Sequence, residues 1–359
     1  MPTAPRSTYI LYSKADYFRA IVRDVISAKR GSRVLLTTMN FDPNDPLVHG
    51  IVTELIAASK RGVKVSLAID AHDFLEIGKL RLGPLWFHAE MPSKVDRQSQ
   101  ERLTVRDELV ASGGVFAITN QPHRAHSSPV SGRSHIKTAI INDKVYVGGC
   151  NLNDAKQLDL MVSWHDQATA DWLYTQLIRV VDSESTKVAF HGTDQSYDID
   201  PHTTLLIDAG VRQQSRIFDE ALAFIDEARD WLVITCQFFP HGITAEHLAQ
   251  AARRGVHVKI IYNRPYKHGA YAPVQQGVVW RERLRGRPAS FFRNTLPLRA
   301  PYIHAKLIAS EKGAIIGSHN YVAEGVRFGT AEIALMRHDA AFGREALATI
   351  EQITGIPKT

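Results

Sequence analysis

One chemical pattern occurs twice in this chain, and the duplication constrains the fold more than any other feature of the sequence. The two copies consist of His135, Lys137, Gly148, Gly149 and Asn151, and of His304, Lys306, Gly317, Ser318 and Asn320. The offsets from the histidine are identical in both copies. A repeated unit of this size indicates a repeated architecture, and two weak motifs at matching spacing favour a shared function.

The segments that precede the two motifs also match. In the first half a strand-like run at 33–41 leads to an amphipathic segment at 47–60 and to a second strand-like run that begins at Arg61-Gly62. The second half follows the same plan at 231–240, 245–253 and 254–258. Helical periodicity gives way to β-branched alternation at each glycine. The pattern predicts an α/β protein with two similar domains, and we expect each sheet to be rich in parallel strands.

The length of 359 residues fits two domains. Serine, glycine and proline weaken any regular pattern between Asp182 and Thr204, so we place the domains at 1–185 and 186–359. The first half holds an insertion that includes the charged run 94–106, which is expected to continue as a helix towards Val110. Packing about a pseudo-twofold axis would bring the two motifs to one interface, so a single chain would carry a complete site.

The overall composition favours an anionic partner. The formal net charge of +6 suits a lipid headgroup, a nucleic acid or a small phosphate equally well. The first thirty residues lack the apolar core of a signal peptide, and no run of about 18 apolar residues occurs. Cys150 and Cys236 lie in apolar strand-like segments, where buried free thiols are the common outcome. We expect a cytoplasmic protein, with peripheral contact at the inner membrane face.

The spacing within each motif predicts convergent side chains. In extended chain, residues i and i+2 share a face, so each histidine and the lysine two positions later point to one side. The apolar runs 145–147 and 314–316 are typical of a second strand, whose end returns Asn151 or Asn320 to the histidine. Small residues at both turns permit close backbone approach.

Two histidines, two lysines and two asparagines suit phosphodiester chemistry without a metal or cofactor. One neutral imidazole can attack phosphorus, while the other donates a proton to the leaving oxygen. Lysine and asparagine donors stabilise the non-bridging oxygens. A carboxylate must fix the histidine tautomer, and Asp159 and Glu332 each begin a short apolar run downstream of a motif. Four more residues are candidate substrate contacts: Gly149, Ser318, Arg124 and Arg133.

These motifs resemble the phospholipase D superfamily, whose signature is His-x-Lys, four residues, Asp, then Gly-Ser-x-Asn. The resemblance covers nearly the whole chain and implies the phospholipase D fold, with two α/β sandwich domains and the active site at their interface. It also implies His135 as nucleophile and His304 as general acid and base. Asn142 and Glu311 occupy the signature aspartate positions. Because that aspartate supports a loop in the superfamily, we expect activity to survive.

Residues 144–152 and 158–161 look most like bacterial cardiolipin synthases and related phosphatidyltransferases. The resemblance implies a hydrolase (EC 3.1.4) or transferase (EC 2.7.8) that acts on phospholipids through a phosphohistidine intermediate. Whether water or an alcohol accepts the phosphoryl group stays open.

Arginines in the segment 281–302 interleave with Phe291, Phe292 and Leu296, which makes this segment a candidate membrane surface. The alternative is that these phenylalanines pack inward. The same mixture also suits a nucleic-acid backbone, so a metal-independent nuclease acting on DNA or RNA is the rival hypothesis. A catalytically weak phosphate-binding module is the third.

Overall fold

The structure is a computed structural model that describes residues 8–74, 76–77, 89–90, 97–121, 132–182, 193–264, 272–293, 295–296 and 301–356. Each half of the chain contributes one large mixed β-sheet, and these two sheets have corresponding strand orders; the first half also holds the two-stranded sheet β4-β5. The chain is therefore α/β, with two similar sandwich domains related by a pseudo-twofold axis, as the duplicated pattern predicts.

The first half extends to the end of α4. Its strands are β1 (Ile10–Ser13), β2 (Arg33–Thr38), β3 (Lys64–Asp70), β4 (Glu76–Ile77), β5 (Ala89–Glu90), β6 (Val115–Thr119), β7 (Thr138–Ile141), β8 (Lys144–Gly148) and β9 (Leu160–His165). Its helices are α1 (Lys14–Ser27), α2 (Pro46–Lys60), α3 (Arg97–Ala111) and α4 (Gln167–Asp182), with a 3-10 turn at Ala71–Phe74.

The second half repeats this plan. Its strands are β10 (Gln195–Asp200), β11 (Thr203–Ala209), β12 (Trp231–Cys236), β13 (His257–Asn263), β14 (Thr295–Leu296), β15 (Leu307–Ser310), β16 (Gly313–Gly317) and β17 (Ala331–Arg337). Its helices are α5 (Arg216–Glu227), α6 (Ile243–Arg253), α7 (Ala272–Leu284), α8 (Ala323–Phe328) and α9 (Ala340–Thr354), with a 3-10 turn at Ala289–Phe292.

The two large sheets correspond strand for strand. The first runs β1-β9-β8-β7-β2-β3-β6, and the second runs β11-β17-β16-β15-β12-β13-β14 with β10 added at its edge. The expectation of parallel-rich sheets is wrong, because in each sheet only the last two pairings are parallel. Two-residue turns join β7 to β8 and β15 to β16, and such short connections allow only antiparallel pairing.

The local elements follow from the sequence. Helix α2 begins where the Asp45 carboxylate accepts the N–H groups of Leu47 and Val48, with Pro46 at the first helical position. It ends before Gly62, whose φ of 85° is accessible to glycine at little cost. The charged run of the insertion forms α3, which ends at Ala111, one residue beyond the predicted extent. Positions 94–96 and the proposed domain boundary at 185/186 lie outside the described residues.

A central core joins the two sheets face to face. Val147 and Trp164 of the first sheet lie in one buried cluster with Ile316 and Leu335 of the second, and α4 and α9 complete this cluster. Helices α1–α3 cover the outer face of the first sheet, while α5 and α6 cover that of the second. This shared core therefore fixes the position of one sheet relative to the other. Within the described ranges, no helix has the length and apolar composition needed to cross a bilayer.

The two signature-aspartate positions lie in the tight turns that follow β7 and β15. Asn142 adopts a φ of 57°, and its N–H donates to the Arg33 carbonyl at 3.0 Å. The Glu311 carboxylate accepts the N–H groups of Arg229, Asp230 and Trp231 at 2.9, 3.3 and 3.4 Å. At about 3.3 Å per residue, seven residues of extended chain separate each position from its histidine by roughly 23 Å. Both residues therefore tie a turn to the start of a neighbouring strand, far from the histidines.

We expect Glu311→Ala to lower the free energy of unfolding by about 1 kcal/mol, because three backbone N–H groups lose their acceptor at a site open to water. Urea unfolding followed by circular dichroism measures this change. The exposed neighbour Lys312→Ala is the matched control and should lie within about 0.5 kcal/mol of wild type. Equal stability of the two variants would show that Glu311 does not support the turn.

Candidate active site

Two short backbone bridges between the halves build the site. Ser134 pairs with Ala331, and the His135 N–H donates to the Ala331 carbonyl at 2.8 Å. The matching bridge pairs Leu158 with Ile303, and the His304 N–H donates to the Leu158 carbonyl at 2.7 Å. Each bridge places the histidine of one half beside the start of β9 or of β17 in the other half.

The carboxylates consequently cross between the halves. His135 Nδ1 lies 3.0 and 2.9 Å from Glu332 Oε1 and Oε2, and His304 Nδ1 lies 2.6 Å from Asp159 Oδ2. The sequence identified both acids as partners of a histidine but not that each would serve the opposite motif. A carboxylate at Nδ1 holds the proton there, so Nε2 carries the lone pair of each neutral ring.

The two imidazoles face each other across the interface. Their centroids are 6.4 Å apart, the rings are inclined at 71°, and each residue is less than a tenth exposed. Atoms about to react approach to about 3–3.5 Å. A single phosphoryl group can therefore contact both rings at once.

Burial sets the charge states of the histidines. It lowers the pKa of His304 to about 3, with the Lys306 ammonium adding to the effect, and it lowers the pKa of His135 well below its usual value. Burial alone would raise the pKa of Asp159, but His304 and Lys306 bring it down to about 2. The site therefore holds two neutral imidazoles and an ionised Asp159 near neutral pH.

Both lysines point to the same side as their histidines. Lys137 Nζ donates to the His135 carbonyl at 2.7 Å, and Lys306 Nζ donates to the His304 carbonyl and lies 2.9 Å from His304 Nδ1. The His-x-Lys segments lie just before β7 and β15 rather than within them. Burial lowers the pKa of Lys137 well below its usual value and that of Lys306 to about 8. Desolvated ammonium groups of this kind interact strongly with a phosphate.

Asn151 and Asn320 follow the ends of β8 and β16. Asn151 Oδ1 accepts from the Asn40 N–H at 3.3 Å and from Thr38 Oγ1 at 3.4 Å, which fixes the orientation of its amide. Asn320 Oδ1 is buried and has no hydrogen-bond partner among the described residues. The sequence did not indicate the supporting role of Thr38 and Asn40, because they lie more than a hundred residues before Asn151.

Gly149 and Ser318 occupy equivalent positions with different contacts. A Cβ atom at Gly149 would overlap Asp159 Oδ1, so the carboxylate of Asp159 fills the space where a side chain would stand. In the second half, Ser318 Oγ donates to Glu332 Oε2 and accepts the Ile333 N–H at 3.0 Å. The departure from the superfamily's serine at Gly149 is thus coupled to the position of Asp159.

Arg133 is fully buried, and its Nη1 donates to Asp70 Oδ1 at 3.1 Å. Asp70 Oδ2 also accepts the Ser134 N–H and Asn120 Nδ2, both at 2.7 Å. This network holds the chain directly before His135, a role that the sequence did not reveal. Substrate contact by Arg133 stays a prediction, and Arg124 lies outside the described residues.

Two more histidines lie near the site. His72 and His319 are close enough for their charges to contribute to the lowered pKa of His135, after the larger effects of burial and the lysines. His319 Nδ1 accepts the Tyr321 N–H at 2.9 Å, and His241 Nε2 lies 3.1 Å from Glu324. Across the described ranges, no cluster of three His, Cys, Asp or Glu side chains is arranged to hold a metal ion.

The phenylalanines of the segment 281–302 do not form the predicted membrane surface. Phe291 is fully buried, and Phe292 stacks on Phe239 with centroids 5.0 Å apart. The alternative of inward-packed phenylalanines therefore holds for this pair. Arg299 and the side chain of Leu296 lie outside the description.

Comparison with known proteins shows which family and which solved structures this chain resembles. Residues 221–354 match the family model described as cardiolipin synthase, phospholipase D-like domain. The structure is similar to phosphatidylserine synthase of Haemophilus influenzae Rd KW20, with a TM-score of 0.65, 14% identity, and coverage of 98% of this chain and 86% of that one. It is also similar to polyphosphate kinase of Porphyromonas gingivalis, with a TM-score of 0.55, 17% identity, and coverage of 96% and 46%.

At these identities the solved structures show a shared fold only. No curated protein matches the sequence. The matched domain, the common fold and the two His-x-Lys motifs together confirm the resemblance of this chain to the phospholipase D superfamily of phosphodiesterases and phosphatidyltransferases.

Proposed function

We propose that the protein is a phospholipase D-type phosphodiesterase or phosphatidyltransferase that acts on phospholipids through a covalent phosphohistidine. The observation that carries the proposal is the pair of crossed histidine–carboxylate contacts at 2.9 and 2.6 Å, on two imidazoles whose centroids lie 6.4 Å apart. The matched cardiolipin synthase domain supports a lipid substrate.

The first step uses the neutral rings. His135 Nε2 attacks phosphorus, a P–N bond forms, and the P–O bond to the leaving alcohol breaks. The anionic diester between the rings favours protonation of His304, which then donates its proton to the leaving oxygen. Lys137 and Lys306 offset the charge that builds on the non-bridging oxygens.

The second step reverses the first. His304, now neutral, removes the proton of an incoming water or alcohol, whose oxygen attacks phosphorus while the P–N bond breaks. Water gives a phosphatidic acid-type product, and an alcohol gives a new diester. The same residues serve both outcomes, so product analysis must distinguish them.

We expect His135→Ala to reduce turnover by at least about a thousandfold with EDTA present, because the nucleophile is lost. His304→Ala should still react once with a p-nitrophenyl phosphodiester, whose leaving group needs no proton, and should then accumulate an acid-labile adduct on His135. Release of p-nitrophenol and mass spectrometry of the intact protein measure these two results.

His165→Ala is the matched control, since His165 is exposed and paired with Asp143 at the surface. The assay compares phosphatidylglycerol vesicles with single-stranded DNA as substrates. Histidine-dependent cleavage of DNA alone would make the protein a nuclease. Absence of activity on both substrates would favour the phosphate-binding module. Activity that survives both active-site substitutions would rule out the mechanism.

The pH dependence of kcat/KM should reflect the titration of Lys306, because burial lowers the pKa of this residue to about 8. Below that pH the ammonium is charged and stabilises the phosphoryl oxygens. Above it the proton is lost, so kcat/KM should fall with rising pH by up to about tenfold per unit. Lys306→Arg keeps its charge and should lack this fall, although its activity is lower. A flat wild-type profile to pH 10 would contradict the assignment.

Restoring the superfamily's serine at Gly149 should reduce activity. In Gly149→Ser the new side chain displaces the Asp159 carboxylate from His304, and loss of such a supporting contact costs about 10- to 100-fold. Ser318→Gly is the matched change in the other half. It should reduce activity less, because Glu332 retains its contact with His135. Steady-state kinetics of both variants measure this, and full activity of Gly149→Ser would refute the coupling.

A further inference from the structure

Helix α7 presents large apolar side chains to solvent. Val274, Trp280 and Leu284 are 62%, 65% and 67% exposed, the highest values among the large hydrophobic residues of the described chain. The opposite face packs inward through Val278 and Val279, which contact the outer core of the second half. Trp280 and Leu284 are one helical turn apart, so they share one side of the helix. Clustered exposure of large apolar side chains marks an interaction surface.

The charge around this face is positive. Between residues 272 and 293 the chain has five arginines and a single acid, Glu282. Glu282 is fully buried and accepts from Arg285 and Arg287 at 2.9 and 3.0 Å. Its carboxylate therefore points away from solvent, while Arg281 and Arg283 stand exposed beside Trp280.

The helix is connected to the edge of the sheet that holds His304. The Gly242 N–H donates to Glu282 Oε1 at 3.5 Å, which ties α7 to the loop that follows β12. At the end of the adjacent β13, the Asn263 side chain pairs with the backbone of Ile303, directly before His304. Both strands end at the edge of the sheet where His304 is held.

We propose that the exposed face of α7, formed by Trp280, Arg281, Arg283 and Leu284, docks the protein on an anionic lipid surface. Tryptophan and leucine insert between headgroups while the arginines neutralise lipid phosphates. A nucleic acid would also attract the arginines, but it offers no apolar layer for Trp280 and Leu284. The inference rests on the proposed function, because it brings a phospholipid to the histidines.

The test is sedimentation of the full chain with vesicles of phosphatidylcholine, with or without phosphatidylglycerol. Wild type should bind the anionic vesicles, and Trp280→Ser with Leu284→Ser should weaken binding about tenfold or more. The matched control is Ile26→Ser with Val110→Ser, which alters two exposed apolar residues of the first half and should bind normally. Thermal unfolding verifies that both double variants are folded.

Equal vesicle binding by the two double variants would overturn the docking surface, as would binding that ignores phosphatidylglycerol. Loss of affinity for single-stranded DNA without any vesicle binding would make the face a nucleic-acid surface. Turnover of a short-chain phospholipid below its micelle concentration tests the proposed function separately, since such a monomer needs no docking.

Discussion

The site depends on two backbone bridges that cross the domain interface. Each bridge uses the N–H of a histidine, so the strand pairing that joins the halves also fixes the positions of the reacting rings. The crossed carboxylates follow directly, because the residue after each bridge in the opposite half is Asp159 or Glu332. The pairs His135–Glu332 and His304–Asp159 each need a residue from both halves, which makes the shared core between the sheets a condition for chemistry as well as for stability.

Desolvation is the second constraint. Two lysines, two histidines and two acids lie in a region with almost no solvent contact, where an unpaired charge is costly. The lowered pKa values of His135, His304, Lys137 and Lys306 all have burial as their largest cause. The same desolvation cost favours binding of an anionic phosphodiester and protonation of one ring.

The sequence predicted the local features of the fold and its division into two matching halves. Helix α2 and the strands beside it carry their own capping and periodicity, and the duplicated offsets of His135 and His304 indicated two matching halves. It did not predict features that depend on long-range pairing. The crossed partners of Asp159 and Glu332, the Asp70 network under Arg133 and the low parallel content all arise from contacts between residues far apart in sequence. The inward packing of Phe291 likewise follows from the fold of the loop.

The two halves match in geometry but differ in electrostatics. Lys14, directly after β1, contributes to the low pKa of Asp159, whereas Glu332 pairs across β11 and β17 with Asp208, whose pKa burial raises to about 7. Burial likewise raises the pKa of Glu332. Asp159 therefore stays ionised at lower pH than Glu332. A carboxylate that stays ionised best stabilises a ring that must take up and return a proton. This asymmetry fits the proposed roles, with His304 as the acid and base and His135, beside the less acidic carboxyl group, as the nucleophile.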